Sequence, residues 1–159
     1  MQFGRAVQAL CDAGVEFVVI GGVSASLNGS SYITNDSDIC YSRSRENLKR
    51  LANALAPFHP RLREAPANLP FVWDEATPKN GTVFTLSTDF GIINLMAEAI
   101  GLGDFEEVKR GSVLTRAFDR DVYTLDLPSL IRSKRAAGRV KDLLVLPELE
   151  GLLEAREPE

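Results

Sequence analysis

Residues 19–41 read VIGGVSASLNGSSYITNDSDICY, and the reading of this stretch decides the fold. An apolar, β-branched run ends on Gly21-Gly22, and two aspartates, Asp36 and Asp38, follow two residues apart at the head of a second apolar run. Residues i and i+2 of a strand share a face, so the two carboxylates are expected side by side, with Cα atoms roughly 6–7 Å apart. Carboxylates this close repel unless a proton or cation intervenes. A divalent ion resolves the conflict, because carboxylates, water and phosphate oxygens are the ligands Mg²⁺ (or Mn²⁺) takes. The glycine pair, set between a strand and a short helix, exposes backbone N–H groups that a phosphate can approach, with Ser24 and Ser26 as further hydroxyl donors. Each feature also has a plain structural reading: a tight turn, and a solvated strand end.

Outward from this core the pattern is regular. Phe3, Val7, Leu10 and Cys11 recur at helical spacing up to Gly14. Val15–Ile20 is predicted as a buried strand, Val23–Asn28 as a short helix broken at Gly29, and Ser37–Tyr41 as a second strand. Ser44 is placed to cap a helix whose core stripe is Leu48, Leu51, Ala52 and Leu55. Residues 57–80 are rich in proline and poor in pattern. They are expected to form an irregular excursion with Phe71 and Trp73 packed back on the body. Thr82–Leu86 and Phe90–Met96 read as a hairpin around Ser87-Thr88-Asp89, residues 101–111 as a loop with a short helix, and Val113–Ala117 with Val122–Leu125 as a further strand pair. Asp126 caps a helix running to Ala137 and stopped by Gly138. A last helix from Val140 is expected to split or kink at Pro147. The order predicts an α/β fold: one domain over 1–159, a mixed sheet flanked by helices, and a C-terminal helical segment at about 127–156.

Bulk properties narrow the class. The chain has 159 residues, 45% hydrophobic and 25% charged, as in an ordinary globular protein. The formal charge of −4 argues against a broad nucleic-acid-coating surface. No apolar run is long enough to span a membrane. No charged segment leading into an apolar one opens the chain, so no secretory leader is expected and cytoplasm is the default location. Cys11 and Cys40 match no zinc spacing and no disulfide framework. His59, between Phe58 and Pro60, reads as a surface or packing residue.

The combination of glycine turn, intervening short helix and Thr34-x-Asp36-x-Asp38 resembles the signature of the polymerase-β-like nucleotidyltransferase superfamily. The minimal AbiEii-type toxin relatives give the nearest flavour. The tail LIRSKRAAGRVKDLLVLPELEGL, residues 130–152, is similar to that subfamily's C-terminal Lys…Gly-Arg-x-Lys-Asp segment. The resemblance implies a metal-dependent transfer of a nucleoside monophosphate from an NTP to an RNA, protein or small-molecule acceptor, with an antitoxin protein as a partner if the role is that of a toxin. It implies that Gly21 and Gly22 cradle phosphates with Ser24 nearby, that Asp36 and Asp38 hold Mg²⁺, and that Thr34 steadies the turn into them. It also implies that Lys134, Arg139, Lys141 and Asp142 approach the nucleotide. From the residues alone, Lys134 falls on or beside the buried face of its helix, where it either meets an anion or snorkels to solvent. Arg139 and Lys141 also read as ordinary surface charge, and Asp142 as an acid favoured by a helix N-terminus.

Two departures stand out. Superfamily members usually carry a third acidic residue on a later strand, and the matching stretch DFGIINLM, residues 89–96, has Asn94 there. Asparagine can ligate through its carbonyl but brings no charge and cannot serve as a general base. Tyr32 stands where relatives often carry Arg. The alternative function is therefore a catalytically weakened nucleotide-binding or regulatory protein.

Overall fold

The structure, a computed structural model, describes residues 3–32, 34, 36–63 and 83–156. In chain order the elements are α1 (Phe3–Asp12), β1 (Phe17–Ile20), α2 (Gly21–Leu27), β2 (Ser37–Tyr41), α3 (Arg45–Leu55), a 3₁₀ turn (Ala56–Phe58), β3 (Arg61–Leu62), β4 (Val83–Thr88), β5 (Gly91–Met96), β6 (Glu98–Ala99) and β7 (Gly103–Asp104), followed by α4 (Phe105–Arg110), β8 (Ser112–Ala117), β9 (Arg120–Leu125), α5 (Leu127–Ala137) and α6 (Val140–Arg156). Among the described residues, seven strands form one mixed sheet in the order β3-β4-β5-β2-β1-β9-β8, and β6 pairs with β7 apart from it. β1 runs antiparallel to β2 and parallel to β9, while β2 runs parallel to β5. The expected mixed α/β sheet with C-terminal helices is what the chain forms.

Strand alternation divides the core into two layers. Val19, Ile39, Tyr41, Ile93 and Leu95 pack with Phe3, Val7 and Leu10 of α1 and Leu48, Leu51 and Leu55 of α3. Val18, Ile20, Cys40 and Leu125 pack with Phe105 and Val108 of α4, Leu130 and Ile131 of α5, and Val145 and Leu149 of α6. The C-terminal helices therefore cover the face opposite α1 and α3. Burial pushes the Cys40 thiol up to about 12 and raises Cys11 as well, so neither is a poised nucleophile. Among the described residues, no helix is long and apolar enough to cross a membrane.

Several boundaries differ from the sequence reading. β1 starts at Phe17 and not at Val15. The Val15 amide closes α1 on the Leu10 carbonyl, and the Glu16 backbone is held at both ends by the Asn47 amide. α2 begins at Gly21, so the glycine pair forms the first turn of the helix and is not a turn ahead of it. β4 extends to Thr88, because Ser87 and Thr88 continue the ladder to Ile92 and Gly91. α6 runs unbroken through Pro147. The missing N–H there costs one bond, to the carbonyl of half-exposed Leu143, while buried Val145, Leu146 and Leu149 hold the helix in place. Ser44 and Asp126 do cap their helices, accepting from the Asn47 and Ser129 amides. Most of the expected excursion at 57–80, with Phe71 and Trp73, lies outside the described residues.

Candidate active site

The site is built where β1 ends and β2 begins. The β1–β2 register sets Ile20 opposite Asp38, and Gly21 is the next residue. Gly21 has φ +66°, and a Cβ there would collide with Asp38 Oδ2. A Cβ on Gly22 would lie 2.7 Å from the Thr34 Cβ. The glycine pair is thus required by the close approach of Asp38 and Thr34, beyond any need for a turn. Ile20, at the N-cap of α2, offers no side-chain acceptor to the first-turn amides.

Thr34 holds the backbone of Asp36 from both sides. Its hydroxyl accepts from the Asp36 amide and donates to the Asp36 carbonyl, each at 3.2 Å. Asp36 stands just before β2, and Asp38 is the second residue within it. Asp38 faces the C-terminal helices. Burial raises its carboxyl above the usual range, and the Asp36 charge adds to that rise. The Asn94 hydrogen bond and the charges of Lys134 and Lys141 pull against it, and the net direction is upward. The donor set of two neighbouring carboxylates is chemically suited to Mg²⁺ or Mn²⁺. Among the described residues no group of three or more His, Cys, Asp or Glu side chains comes together to hold a metal.

Asn94 completes a row across three strands. β2 and β5 align Asp38 with Asn94, and β4 aligns Thr85 with Asn94. Asn94 Nδ2 donates to Asp38 Oδ1 at 2.7 Å, and Thr85 Oγ1 donates to Asn94 Oδ1 at 2.7 Å. Asn94 therefore presents its amide, not its carbonyl, to the carboxylate.

The tail residues gather above this row. Lys134 Nζ lies 3.3 Å from Asp142 Oδ1, and Arg139 Nε donates to Asp142 Oδ2 at 2.6 Å. The Asp142 side chain is fully buried, and that of Lys134 is 15% exposed. Burial raises the Asp142 carboxyl, but the hydrogen bonds from Arg139 and Lys134 outweigh it and hold it below the usual range. Asp142 in turn raises Arg139 through their hydrogen bond. This corrects two expectations. The anion that permits Lys134 to be buried is Asp142 of the same chain, so no ligand is needed to explain it. Asp142 is not an exposed helix-start acid: its side chain is fully buried and pairs with both Lys134 and Arg139. Lys141 and Arg139 are exposed.

Ser24 is also placed differently from the sequence reading. It is fully buried, with its hydroxyl 2.7 Å from that of Thr124, because its position in α2 faces β9. Ser26 is exposed and bonds back to the Gly22 carbonyl at 3.3 Å. Tyr32 is exposed, and His59 pairs with Asp89 of the β4–β5 turn at 2.7 Å, away from the row.

Sequence reasoning missed Thr85 and a clamp from α6. Glu148 accepts from the Ser30 hydroxyl and from the amide and hydroxyl of Ser31, and Arg156 binds Asn28. Thr85 was within reach of the hairpin: with Asp89-Phe90 as the turn, Asn94 falls opposite it. The clamp residues carry no local signal, being more than a hundred positions apart.

Two solved structures share this architecture. A candidate nucleotidyltransferase from Thermotoga maritima superposes with a TM-score of 0.58 at 16% identity, covering 94% of this chain and 90% of its own. The aminoglycoside nucleotidyltransferase ANT(2″)-Ia, solved with adenylyl-2″-tobramycin, gives a TM-score of 0.57 at 13% identity, covering 96% of this chain and 93% of its own. No family model matches the chain, and no curated protein matches it. The likeness establishes a nucleotidyltransferase-like fold.

Proposed function

We propose that this protein is a metal-dependent nucleotidyltransferase of the polymerase-β-like superfamily, transferring a nucleoside monophosphate from an NTP to an RNA, protein or small-molecule acceptor. A fold alone does not assign chemistry. The observation that carries the reading is the glycine helix pressed onto Asp38, with Asp36 beside it, the Lys134 and Lys141 cations on the helices facing it, and Arg139 at the junction of those helices.

In this reading Asp36 and Asp38 hold Mg²⁺ or Mn²⁺. The ion, when bound, supplies positive charge at the phosphates and polarises them. The first-turn amides of α2, which no side-chain acceptor caps, are the donors offered to phosphate oxygens. Lys134, Lys141 and Arg139 offset the charge of the triphosphate, and Asp142 fixes two of them in place. The acceptor oxygen bonds to the α-phosphorus and gives up its proton to water, the bond from that phosphorus to its bridging oxygen breaks, and pyrophosphate leaves. Asn94 cannot receive the acceptor proton.

That last point favours a second reading, a nucleotide-binding or regulatory protein with weakened catalysis. A toxin role with an antitoxin partner rests on the sequence resemblance of the tail, and growth arrest on expression, relieved by a small co-expressed protein, tests it.

The primary test is thermal unfolding with NTP and Mg²⁺, paired with transfer of label from NTP to pooled RNA and protein acceptors. Ligand at about 100-fold over Kd stabilises by ~2.7 kcal/mol. We expect an NTP shift that requires the metal and weakens in Lys134→Ala. No shift with any NTP at millimolar concentration overturns the nucleotide reading. A shift without transfer supports the weakened-binder reading.

A further inference from the structure

We infer that Thr85 is a positioning residue that fixes Asn94 as a hydrogen-bond donor to Asp38, and that this commits the site to one divalent cation per chain. The inference rests on the nucleotidyltransferase reading above.

The argument begins with what each group can do. An ionised carboxylate only accepts, so Asn94 must turn its N–H toward Asp38, and it does so at 2.7 Å. The amide carbonyl then points the other way, along the row, and would be left without a partner in a half-buried position. Thr85 supplies its only hydroxyl proton to that carbonyl, also at 2.7 Å. Both ends of Asn94 are thereby engaged, and the register of β2, β5 and β4 aligns the three residues.

For Asn94 to ligate a second cation, the amide has to turn over. Its carbonyl then faces Asp38 Oδ1 oxygen to oxygen, and the charge-assisted bond to Asp38 is lost. A carboxylate at 94 would make that second position anionic, but asparagine leaves it neutral. The local charges argue the same way: Lys134 and Lys141 already act on Asp38 and take part of the cationic role. The row therefore holds Asp38 in one orientation for a single ion shared with Asp36.

The test counts ions. Mn²⁺ binding is titrated by electron paramagnetic resonance in the presence of a non-hydrolysable NTP analogue. Wild type is expected to bind one Mn²⁺ per chain and Asn94→Asp two. Thr85→Val is expected to keep one Mn²⁺ but bind it about fivefold more weakly, the effect of one lost hydrogen bond. Thr85→Ser, which keeps the hydroxyl, is expected to match wild type, separating positioning from packing. A second readout needs no metal: the Asn94 side-chain amide protons exchange slowly in wild type and Thr85→Ser, and fast in Thr85→Val. Two Mn²⁺ in wild type, or Thr85→Val indistinguishable from wild type in both measurements, overturns the inference. Absence of any Mn²⁺ or nucleotide binding overturns the underlying functional reading, and this inference with it.

Discussion

A side chain on Gly21 and the carboxylate of Asp38 cannot share the space between them: the Cβ direction of Gly21 runs straight into Asp38 Oδ2. Gly21→Ala therefore meets two penalties, the collision and a left-handed φ of +66° that costs an L-residue about 1–2 kcal/mol. We expect lower melting temperature, by roughly 2–4 °C per kcal/mol, together with loss of the metal-dependent NTP shift. Gly91→Ala separates the two. Its φ is +116°, but nothing lies within 4 Å of its Cβ direction, so it loses stability and keeps the NTP shift. An intact NTP shift in Gly21→Ala contradicts this account.

Asp142 is the hinge of the tail's charge arrangement. Replacing it by Asn leaves Lys134 and Arg139 without their shared anion. Loss of hydrogen bonds to charged groups costs about 1.5–3 kcal/mol, with the lower end expected because the Arg139 side chain is 59% exposed and reaches water. Its carboxyl is held below the usual range, so the stability it contributes is present above the unfolded pKa and lost as pH falls through the folded one. Denaturant unfolding of wild type and Asp142→Asn should differ at neutral pH and converge in acid. Equal stabilities at neutral pH would show that the pairs contribute nothing.

Asp38 works in the opposite direction. Its carboxyl is raised, so the metal-free protein loses stability as pH rises through its folded pKa, where the unfolded chain ionises more readily. Asp38→Asn removes this loss. At neutral pH without metal, the variant is expected to melt above wild type, and Mg²⁺ with NTP should then stabilise wild type alone. A variant that melts lower without metal shows that the carboxylate is held by favourable contacts stronger than its burial.

Asn94→Asp restores a charge at nearly constant side-chain size. Single-turnover transfer from labelled NTP is expected to rise, within the 100- to 10,000-fold range (about 10²–10⁴) typical of general-base catalysis, while NTP affinity changes little. Rapid transfer by wild type that slows in Asn94→Asp would make Asn94 a working part of the site.

Local chemistry made much of this fold legible. Ser37–Tyr41 was readable to the residue, because an apolar run began just after an acidic pair, and Ser44 and Asp126 announced their helices by capping. The carboxylate pair was readable from its spacing, and the departure at 94 from the resemblance of residues 89–96 to the superfamily pattern. Other features depended on partners far along the chain. Glu16 looks like strand residue until Asn47 claims its backbone. Ser24 looks like a phosphate donor until Thr124 claims its hydroxyl. Lys134 asks for an anion, and the sequence alone did not show that Asp142, one helix later, answers it. Charge and spacing were visible; which neighbour satisfies each group was not.

The grip of Glu148 and Arg156 on Ser30, Ser31 and Asn28 cannot form until α6 has been synthesised. Asp36 and Asp38 leave the ribosome early, yet β1 still lacks its neighbour β9, the cations of α5 and α6 do not exist, and nothing holds the segment that leads into Thr34. Each of these joins residues about a hundred or more positions apart, so closing the sheet carries the slow kinetics of long-range pairing. An emerging chain carries its acidic pair without the cations that face it, and this arrangement is complete only once α6 closes over residues made more than a hundred steps before it.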